Sequence, residues 1–414
     1  MSEVLKSLKN LTMKNHEGNS PNGSNSRELI NPENHEAVSL EKNYILGICA
    51  TRYETSYAIF RHVFIIVFYS DPEFRIGTAL SDYSCNVYTV GETLTKIATL
   101  KGNEASIVGI RFSPTHPNLF YCASSDGYIM LYDLRAKGRM VTQFKDHGKV
   151  KNLASFDIGP DERAMAGGTE LIDGDSFILF WDTRYSTSKT HGKKTLLGGY
   201  WESHTDDVTT LAFHPTRRDL LASGSTDGLI NIFDLTQTTE DEALMHSLNT
   251  ESSVDRIGWI GDEKLWCGTH THTLQLWECE GAAPYARFDR ETLASSQNED
   301  PENCYLVRMH TESSTGRNFL VAGCSASKRE SLRCLTARDN KLDVCCVMSE
   351  NKQIVRDSWF QEKNDCLVTG GESGIVSIWR REESALSRSN SNHRLHSKVH
   401  KLKGRDKPHK AKPY

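Results

Sequence analysis

Short strand-like patterns recur along the chain, and each ends near an aromatic or large apolar residue. Within them Val, Ile, Leu and Phe alternate with polar residues at a period of two, which predicts strands bounded by turns. The seven end residues are spaced by 44, 49, 52, 44, 58 and 44 positions. They are Tyr88, Tyr132, Trp181, Phe233, Trp277, Leu335 and Trp379. A step near 44 residues matches one four-stranded blade of a propeller, so the spacing predicts seven blades.

The clearest unit runs from residue 204 to 235 and reads HTDDVTTLAFHPTRRDLLASGSTDGLINIFDL. Its pattern predicts a strand, a His-Pro turn, a second strand, an Asp-Gly hairpin and a third strand. Asp227-Gly228 supplies residues that tolerate positive φ, so we expect a two-residue hairpin there, and Asp126-Gly127 predicts the same turn in another unit.

These units resemble the WD-repeat family over roughly residues 74–380. The resemblance implies an all-β, seven-bladed WD-repeat β-propeller, here with disordered N- and C-terminal tails. Closing the ring removes exposed sheet edges, and the family often closes it by placing an early strand in the last blade. Tyr44–Cys49 (YILGIC) is the candidate for that strand.

The resemblance also implies a hydrogen-bond relay in each blade, formed by a turn Asp, a His near the blade start, a strand Ser or Thr, and the Trp. In the unit above, the matching residues are His204, Ser223 or Ser225, and Asp227, with Phe233 replacing Trp. In the unit of Tyr132 the His position holds Asn103, and the blades of Trp277 and Leu335 lack the turn Asp. The predicted relay residues are His147, Trp181, His204, Asp126, Asp227, Trp277 and Trp379.

Composition divides the chain into three predicted segments. Residues 1–43 are rich in Asn, Ser and Glu and are expected to be disordered, with a short helix near Val4–Met13. Residues 44–383 form the propeller, and residues 384–414 form a basic disordered tail. The apolar run Val63–Tyr69 is too short to cross a bilayer and predicts a buried or edge strand. The stretch around it interrupts the repeat, and either a true insertion or a mis-joined gene model accounts for it.

Charge is distributed unevenly along the chain. The net charge is -5, but residues 388–414 contain nine Lys or Arg against one acid, which leaves about -13 on the rest. The basic residues that define the polyanion-binding or nuclear-import prediction are Lys398, Lys401, Lys403, Arg405, Lys407, Lys410 and Lys412. No aromatics interleave with them, so we expect weak, non-specific RNA binding, or else a solvated tail without a target.

The eleven cysteines follow no framework spacing. An odd count without a signal peptide predicts reduced thiols in an intracellular protein, and the tail favours a nuclear or nucleolar location over a cytoplasmic one. Membrane association is not expected.

Catalytic and cofactor motifs are missing from the sequence. It contains no G-x-S-x-G elbow, no H-E-x-x-H helix and no phosphate-cradling Gly loop, so we expect neither an enzyme nor a cofactor. The string CGTHTH places Cys267, His270 and His272 within six residues. These ligand types suit zinc, but the string occupies the strand-turn position held elsewhere by SGSTDG, which predicts a structural role and no metal.

Two units end in an aromatic-Asp-x-Arg string. In the family this ending resembles the box of cullin-RING ubiquitin ligase substrate receptors whose adaptor is itself a propeller, while a blade-internal Asp–Arg pair is the alternative. The residues are Tyr132, Asp133 and Arg135, and Trp181, Asp182 and Arg184. The sequence as a whole predicts a protein-interaction scaffold or adaptor that binds other proteins. The alternatives are a ubiquitin-ligase substrate receptor, and a nuclear RNA or ribosome-assembly factor that uses the tail.

Overall fold

The fold is that of a computed structural model of the full chain. The structure describes residues 35–39, 43–50, 73–91, 93–146, 151–184, 196–312, 315–326, 329–338 and 340–380, with backbone only for 35–39, Arg329 and Asn364. Four predictions lie outside the described residues: the helix near Val4–Met13, the apolar run Val63–Tyr69, the role of His147 and the basic tail.

Twenty-eight strands within these residues form seven four-stranded antiparallel sheets. The first described strand is β1 (His35–Ser39), which belongs to the last sheet. Blade 1 contains β2 (Ile45–Ala50), β3 (Phe74–Leu80), β4 (Cys85–Val90) and β5 (Leu94–Leu100). Blade 2 contains β6 (Ile107–Phe112), β7 (Leu119–Ser124), β8 (Ile129–Asp133) and β9 (Arg139–Phe144). Blade 3 contains β10 (Leu153–Ile158), β11 (Ala164–Thr169), β12 (Ile178–Asp182) and β13 (Leu196–Tyr200).

The remaining blades repeat this plan. Blade 4 contains β14 (Thr210–Phe213), β15 (Leu220–Gly224), β16 (Leu229–Asp234) and β17 (Leu244–Asn249). Blade 5 contains β18 (Val254–Ile260), β19 (Lys264–Thr269), β20 (Leu274–Glu278) and β21 (Ala286–Phe288). Blade 6 contains β22 (Cys304–Glu312), β23 (Arg317–Ala326), β24 (Arg329–Arg338) and β25 (Lys341–Met348). Blade 7 contains β26 (Val355–Gln361), β27 (Cys366–Gly371), β28 (Ile375–Arg380) and β1.

Helices are few in the described residues. The α-helices are α1 (Glu240–Ala243) and α2 (Arg290–Gln297), and short 3₁₀ turns span Leu134–Ala136, Pro301–Asn303 and Glu362–Asn364. Helix α2 begins where the carboxylate of Asp289 accepts the backbone N–H of Thr292. None of the described helices is long and apolar enough to cross a membrane.

The seven sheets close into one ring. The first strand of each blade contacts the first strand of the next, and β26 of blade 7 contacts β2 of blade 1. The seven end residues of the repeat, from Tyr88 to Trp379, all lie buried in the third strands of their blades. Apolar clusters fill the spaces between neighbouring blades; Tyr121 of blade 2, for example, shares one with Trp181 of blade 3. The prediction of a seven-bladed all-β propeller is therefore confirmed.

The ring is closed by a strand other than the one predicted. β1 pairs with β28, from His35 opposite Trp379 to Ser39 opposite Ile375, and so completes blade 7. The predicted closing segment Tyr44–Cys49 instead contributes β2, the first strand of blade 1, where Ile45 and Ile48 are buried. That prediction was wrong. A strand with apolar residues on both faces is favoured at the centre of the ring, where both faces are covered, and not at the outer edge of a blade. β1 also shows that the disorder predicted for residues 1–43 does not hold at residues 35–39.

The Asp-Gly turn of blade 4 is longer than the two residues expected. Four residues, Ser225 to Gly228, join β15 to β16, and the backbone N–H of Gly228 donates to the carbonyl oxygen of Ser225 at 3.1 Å. Gly228 has a φ of 86°, whereas Asp227 has no positive φ. The Asp therefore serves as a hydrogen-bond acceptor in this turn, and the glycine alone provides the left-handed conformation.

Candidate binding surfaces and central channel

Blade 4 contains a continuous chain of hydrogen bonds from its turn to its second strand. His204 places Nδ1 3.0 Å from Oδ2 of Asp227 and Nε2 2.7 Å from Oγ of Ser223. The imidazole is almost fully buried, as is the Ser223 side chain. Of the two serines that the sequence allowed, Ser223 is the one in contact with His204.

The carboxylate of Asp227 is held by several donors. Burial alone would raise its pKa, but the hydrogen bond from His204 and those from the backbone N–H groups of Leu229 and Thr205 outweigh burial, so the pKa is lowered. Asp227 therefore remains ionised in the folded protein at neutral pH.

Blade 2 lacks this chain. Asn103 donates through Nδ2 to the carbonyl oxygen of Tyr83, and the hydroxyl of Ser124 donates to Asp126. The phenol of Tyr132 donates to the carbonyl oxygen of Lys101 at 3.3 Å. Oδ1 of Asn103 also accepts from the thiol of Cys122 in the second strand at 3.5 Å, so in this blade Asn103 contacts the second strand, and no hydrogen bond to Asp126 is found among the described residues.

The three predicted relay tryptophans have different partners. Trp379 donates through Nε1 to Oγ1 of Thr369 at 2.9 Å, and Trp277 donates to Oε1 of Gln275 at 3.0 Å. Trp181 is buried, and its indole N–H has no hydrogen-bond partner among the described residues. Its assigned partner, His147, lies outside them.

The two aromatic-Asp-x-Arg strings end in exposed arginines. Arg135 forks onto Asp133 with distances of 3.0 Å from Nε and 2.8 Å from Nη2, and Arg184 forks onto Asp182 in the same way. The arginine side chains are 69 % and 67 % exposed. Both follow the third strands of neighbouring blades, so they lie on the same face of the ring. The aromatics Tyr132 and Trp181 are buried inside their blades.

The residues of CGTHTH are divided between a strand and a turn. Cys267 is buried in β19, and burial raises the pKa of its thiol to about 12. His270 and His272 follow in the turn, where His270 is half exposed. Among the described residues no group of three or more His, Cys, Asp or Glu is arranged to hold a metal ion. All eleven cysteines have free thiols.

At the centre of the ring, which we call the central channel, Asp357 of β26 receives donors from several blades. Oδ2 accepts the backbone N–H of Ile48 in blade 1 at 2.8 Å. Oδ1 lies 3.1 Å from Nη1 of Arg256 in blade 5 and 3.3 Å from Nε of Arg308 in blade 6. Because Arg256 reaches past blade 6 to blade 7, its side chain extends across the centre. One carboxylate thus connects four blades, including the two at which the ring closes.

Asp157 of β10 makes a second connection of this kind. Its Oδ1 accepts Nε of Arg111 in blade 2 at 2.7 Å, and its Oδ2 accepts the backbone N–H of Phe213 in blade 4 at 2.8 Å. The two carboxylates therefore span all seven blades between them.

Sequence reasoning did not predict these channel residues. One signal was available, since Arg256, Arg308 and Asp357 each occupy the first position after the register shift in the first strand of a blade. Aligning the repeats strand by strand would have placed the three charges at one level of the channel.

Burial controls ionisation in the channel. Burial would raise the pKa of Asp357, but Arg308 and Arg256 outweigh that effect and lower it. Burial lowers the pKa of Arg308, which Asp357 opposes and Arg256 reinforces. Burial, with Arg308 nearby, lowers the pKa of His310 to about 3, so this imidazole is neutral at physiological pH. Asp357, ionised and fully hydrogen-bonded, is poorly suited to general acid catalysis.

Comparison with known proteins identifies the repeat. The WD domain, G-beta repeat, family matches residues 94–133 and 196–234. Each matched segment begins with the fourth strand of one blade and ends with the third strand of the next.

Two of the similar proteins described next are WD repeat-containing proteins by name. An uncharacterised WD repeat-containing protein of Saccharomyces cerevisiae is 26 % identical over 76 % of this chain and 78 % of its own length. The WD repeat-containing protein 89 homolog of Dictyostelium discoideum is 24 % identical over 75 % of this chain and 80 % of its own. The histone acetyltransferase type B subunit 2 of Debaryomyces hansenii is 28 % identical over 39 % of this chain and 41 % of its own.

Proposed function

We propose that this chain, a seven-bladed β-propeller with two segments that match the WD repeat, functions as a non-enzymatic scaffold that binds other proteins. The observation that carries the proposal is the closed ring, in which core clusters between blades and two carboxylates at the centre fix the framework that presents the loops. A rigid framework with variable loops is a common basis for protein recognition. One relative is, by its name, a subunit of a larger assembly, which agrees with such a role.

The proposal of a non-catalytic role is supported by how the buried acids are used. Asp157, Asp227 and Asp357 each accept backbone N–H groups and contact His or Arg, and the pKa values of Asp227 and Asp357 are lowered. A propeller hydrolase would need carboxylates that converge on a substrate pocket with at least one raised pKa. The described carboxylates of the channel serve to join blades.

Affinity purification of the full chain, beside a chain lacking residues 388–414, tests the scaffold. We expect stoichiometric protein partners that survive the deletion and moderate salt, because the propeller surface and not the tail would bind them. Recovery of RNA alone, lost on deletion and at raised salt, would favour the tail-dependent RNA or ribosome-assembly role and contradict the scaffold. The same pair of chains tests the nuclear or nucleolar location, which we expect to depend on the tail.

A role as a ubiquitin-ligase substrate receptor is the second candidate. The observation that favours it is the matched exposure of Arg135 and Arg184 on one face of neighbouring blades. Each guanidinium is oriented by a fork of hydrogen bonds to its own Asp. The same Asp–Arg pairs are also expected if they serve only within their own blades. A binding experiment with the adaptor is therefore needed to distinguish the two roles.

Replacing both Arg135 and Arg184 by Ala is expected to abolish co-purification with a propeller-type ligase adaptor. The fold should be unaffected, since exposed ion pairs contribute little to stability. Arg218→Ala serves as the matched control. Arg218 is also an exposed arginine near an aspartate, since its side chain is 64 % exposed and lies 3.8 Å from Asp161, but it does not belong to either aromatic-Asp-x-Arg string. Adaptor binding that persists in the double variant, or that is missing in the parent chain, would refute this second candidate.

A further inference from the structure

The channel arginines are less fully paired than the channel carboxylates. Asp357 accepts three hydrogen bonds within 3.1 Å, from the backbone N–H groups of Ile48 and Ser358 and from Arg256, and its side chain is only 6 % exposed. Nε of Arg308 is buried and lies in ion-pair contact with Asp357, but it has no hydrogen-bond partner, and no hydrogen bond joins the guanidinium to the described residues. Its side chain is 27 % exposed. The carboxylate is thus enclosed by its donors, while guanidinium nitrogens remain available.

Arg308 shares its nearest carboxylate with a second arginine. Two guanidinium groups, Arg256 and Arg308, converge on the single oxygen Oδ1 of Asp357. A second acid, Asp255, lies 3.5 Å from Nε of Arg256 and so offsets that arginine from the other side. Asp157 is paired with Arg111. Arg111 and Arg256 each donate hydrogen bonds, whereas no hydrogen bond joins Arg308 to a described residue.

The neighbouring titratable side chain cannot supply a counter-charge. His310, two residues along the same strand, donates to or accepts from Oγ of Ser358 at 2.9 Å and is neutral. Phe319 and Phe360 pack near its ring. A guanidinium with two free nitrogens in a partly water-excluded space is the arrangement that proteins use to bind carboxylate or phosphate oxygens through a fork of hydrogen bonds.

We propose that Arg308, with Arg256 beside it, forms an oxyanion-binding site in the central channel. The ligand is a carboxylate or a phosphate monoester on a side chain of a bound protein. This inference rests on the proposed scaffold function and assigns one contact of the bound partner to the channel. The anion would supply hydrogen-bond acceptors to the guanidinium of Arg308.

Thermal unfolding in the presence of small probe anions tests the site without requiring the partner. The folded full chain is titrated with inorganic phosphate in one arm and with glutarate in the other, each against sodium chloride of equal ionic strength. A ligand that binds only the native state raises Tm with its concentration. We expect such a rise in the parent chain, its loss in Arg308→Gln and a reduced rise in Arg308→Lys, which keeps the charge without the fork.

The matched control is Arg287→Gln, which removes an exposed arginine paired with Glu251 on the outer strand of blade 5. It should respond to the anions as the parent does. A rise with phosphate only identifies a phosphate monoester as the ligand group, and a rise with glutarate only identifies a carboxylate. A rise that persists unchanged in Arg308→Gln, or no rise in either arm, overturns the proposal. Should Arg308→Gln not fold, a response of Arg308→Lys equal to that of the parent overturns it instead.

A flat anion response refutes the channel site but leaves the scaffold intact, whereas the absence of protein partners in the affinity purification refutes the scaffold whatever the anions do.

Discussion

Replacing Asp357 by Ala is expected to lower the free energy of unfolding by about 3–5 kcal/mol, towards the lower end because the arginines keep some contact with water. The substitution leaves Arg256 and Arg308 close together without their shared carboxylate. It also removes the acceptor for the backbone N–H of Ile48, where blade 7 meets blade 1. Urea unfolding of the purified chain, followed by tryptophan fluorescence, measures the change.

A second variant at this position tests the role of the charge, and a variant at an exposed carboxylate serves as the control. Asp357→Asn retains an acceptor for Ile48 but carries no charge, so its loss of stability should lie between that of Ala and the parent. Glu251→Ala removes a carboxylate that is 74 % exposed from its pair with Arg287, and we expect almost no change. If Asp357→Ala unfolded at the same urea concentration as Glu251→Ala, the carboxylate would not be what joins the blades.

The contribution of Asp357 should also depend on pH. Its pKa is lowered in the folded protein, so its stabilising effect is complete above the unfolded value of about 3.9. The effect is lost as the pH falls from there through the folded value, because protons then bind the unfolded chain more readily. The difference in stability between the parent and Asp357→Ala should therefore narrow below about pH 4. A difference that stays constant into acid would indicate that charge is unimportant at this position.

Replacing Asp227 by Ala should lower the free energy of unfolding by roughly 1–3 kcal/mol. The change leaves the buried Nδ1 of His204 without its partner and removes the acceptor for two backbone N–H groups of the turn. Asp126→Ala is the matched control, since Asp126 holds the same turn position in blade 2 and contacts no histidine among the described residues. Equal losses in the two variants would show that the contact with His204 adds nothing beyond the turn itself.

The blades were predictable because their third strands carry a strong local signal. A large residue buried between blades recurs at each third strand, even where Leu335 replaces the aromatic. The closing strand had no such signal. β1 has the sequence HEAVS and lies at the outer edge of its sheet, where only one neighbour is available, whereas the segment ILGIC is strongly apolar because it lies at the centre. The apolar content of a strand indicates how close it lies to the centre of the ring. It does not indicate which segment of the chain completes the last blade.

The candidate sites also differ in whether their contacts lie within one repeat or join distant blades. Asp227 and His204 are 23 residues apart within one repeat, so a repeat pattern could pair them. Arg256 and Asp357 are 101 residues apart and meet only because the ring brings blades 5 and 7 to a common centre. No local pattern encodes that distance. The network became visible once the first strands were arranged in a circle.

The pairing of β1 with β28 gives this protein a particular order of events during its synthesis. His35 leaves the ribosome long before its partner Trp379 exists, so the outer strand of blade 7 must wait unpaired while six blades are made. Contacts this far apart in sequence are slow to form, and unpaired strand edges are prone to association with other chains. Any nascent chain that stops short of β28 holds an incomplete last blade and an open ring. The last blade therefore cannot form before β28 has been made, and a product truncated before β28 exposes a strand edge that chaperones and proteases can recognise.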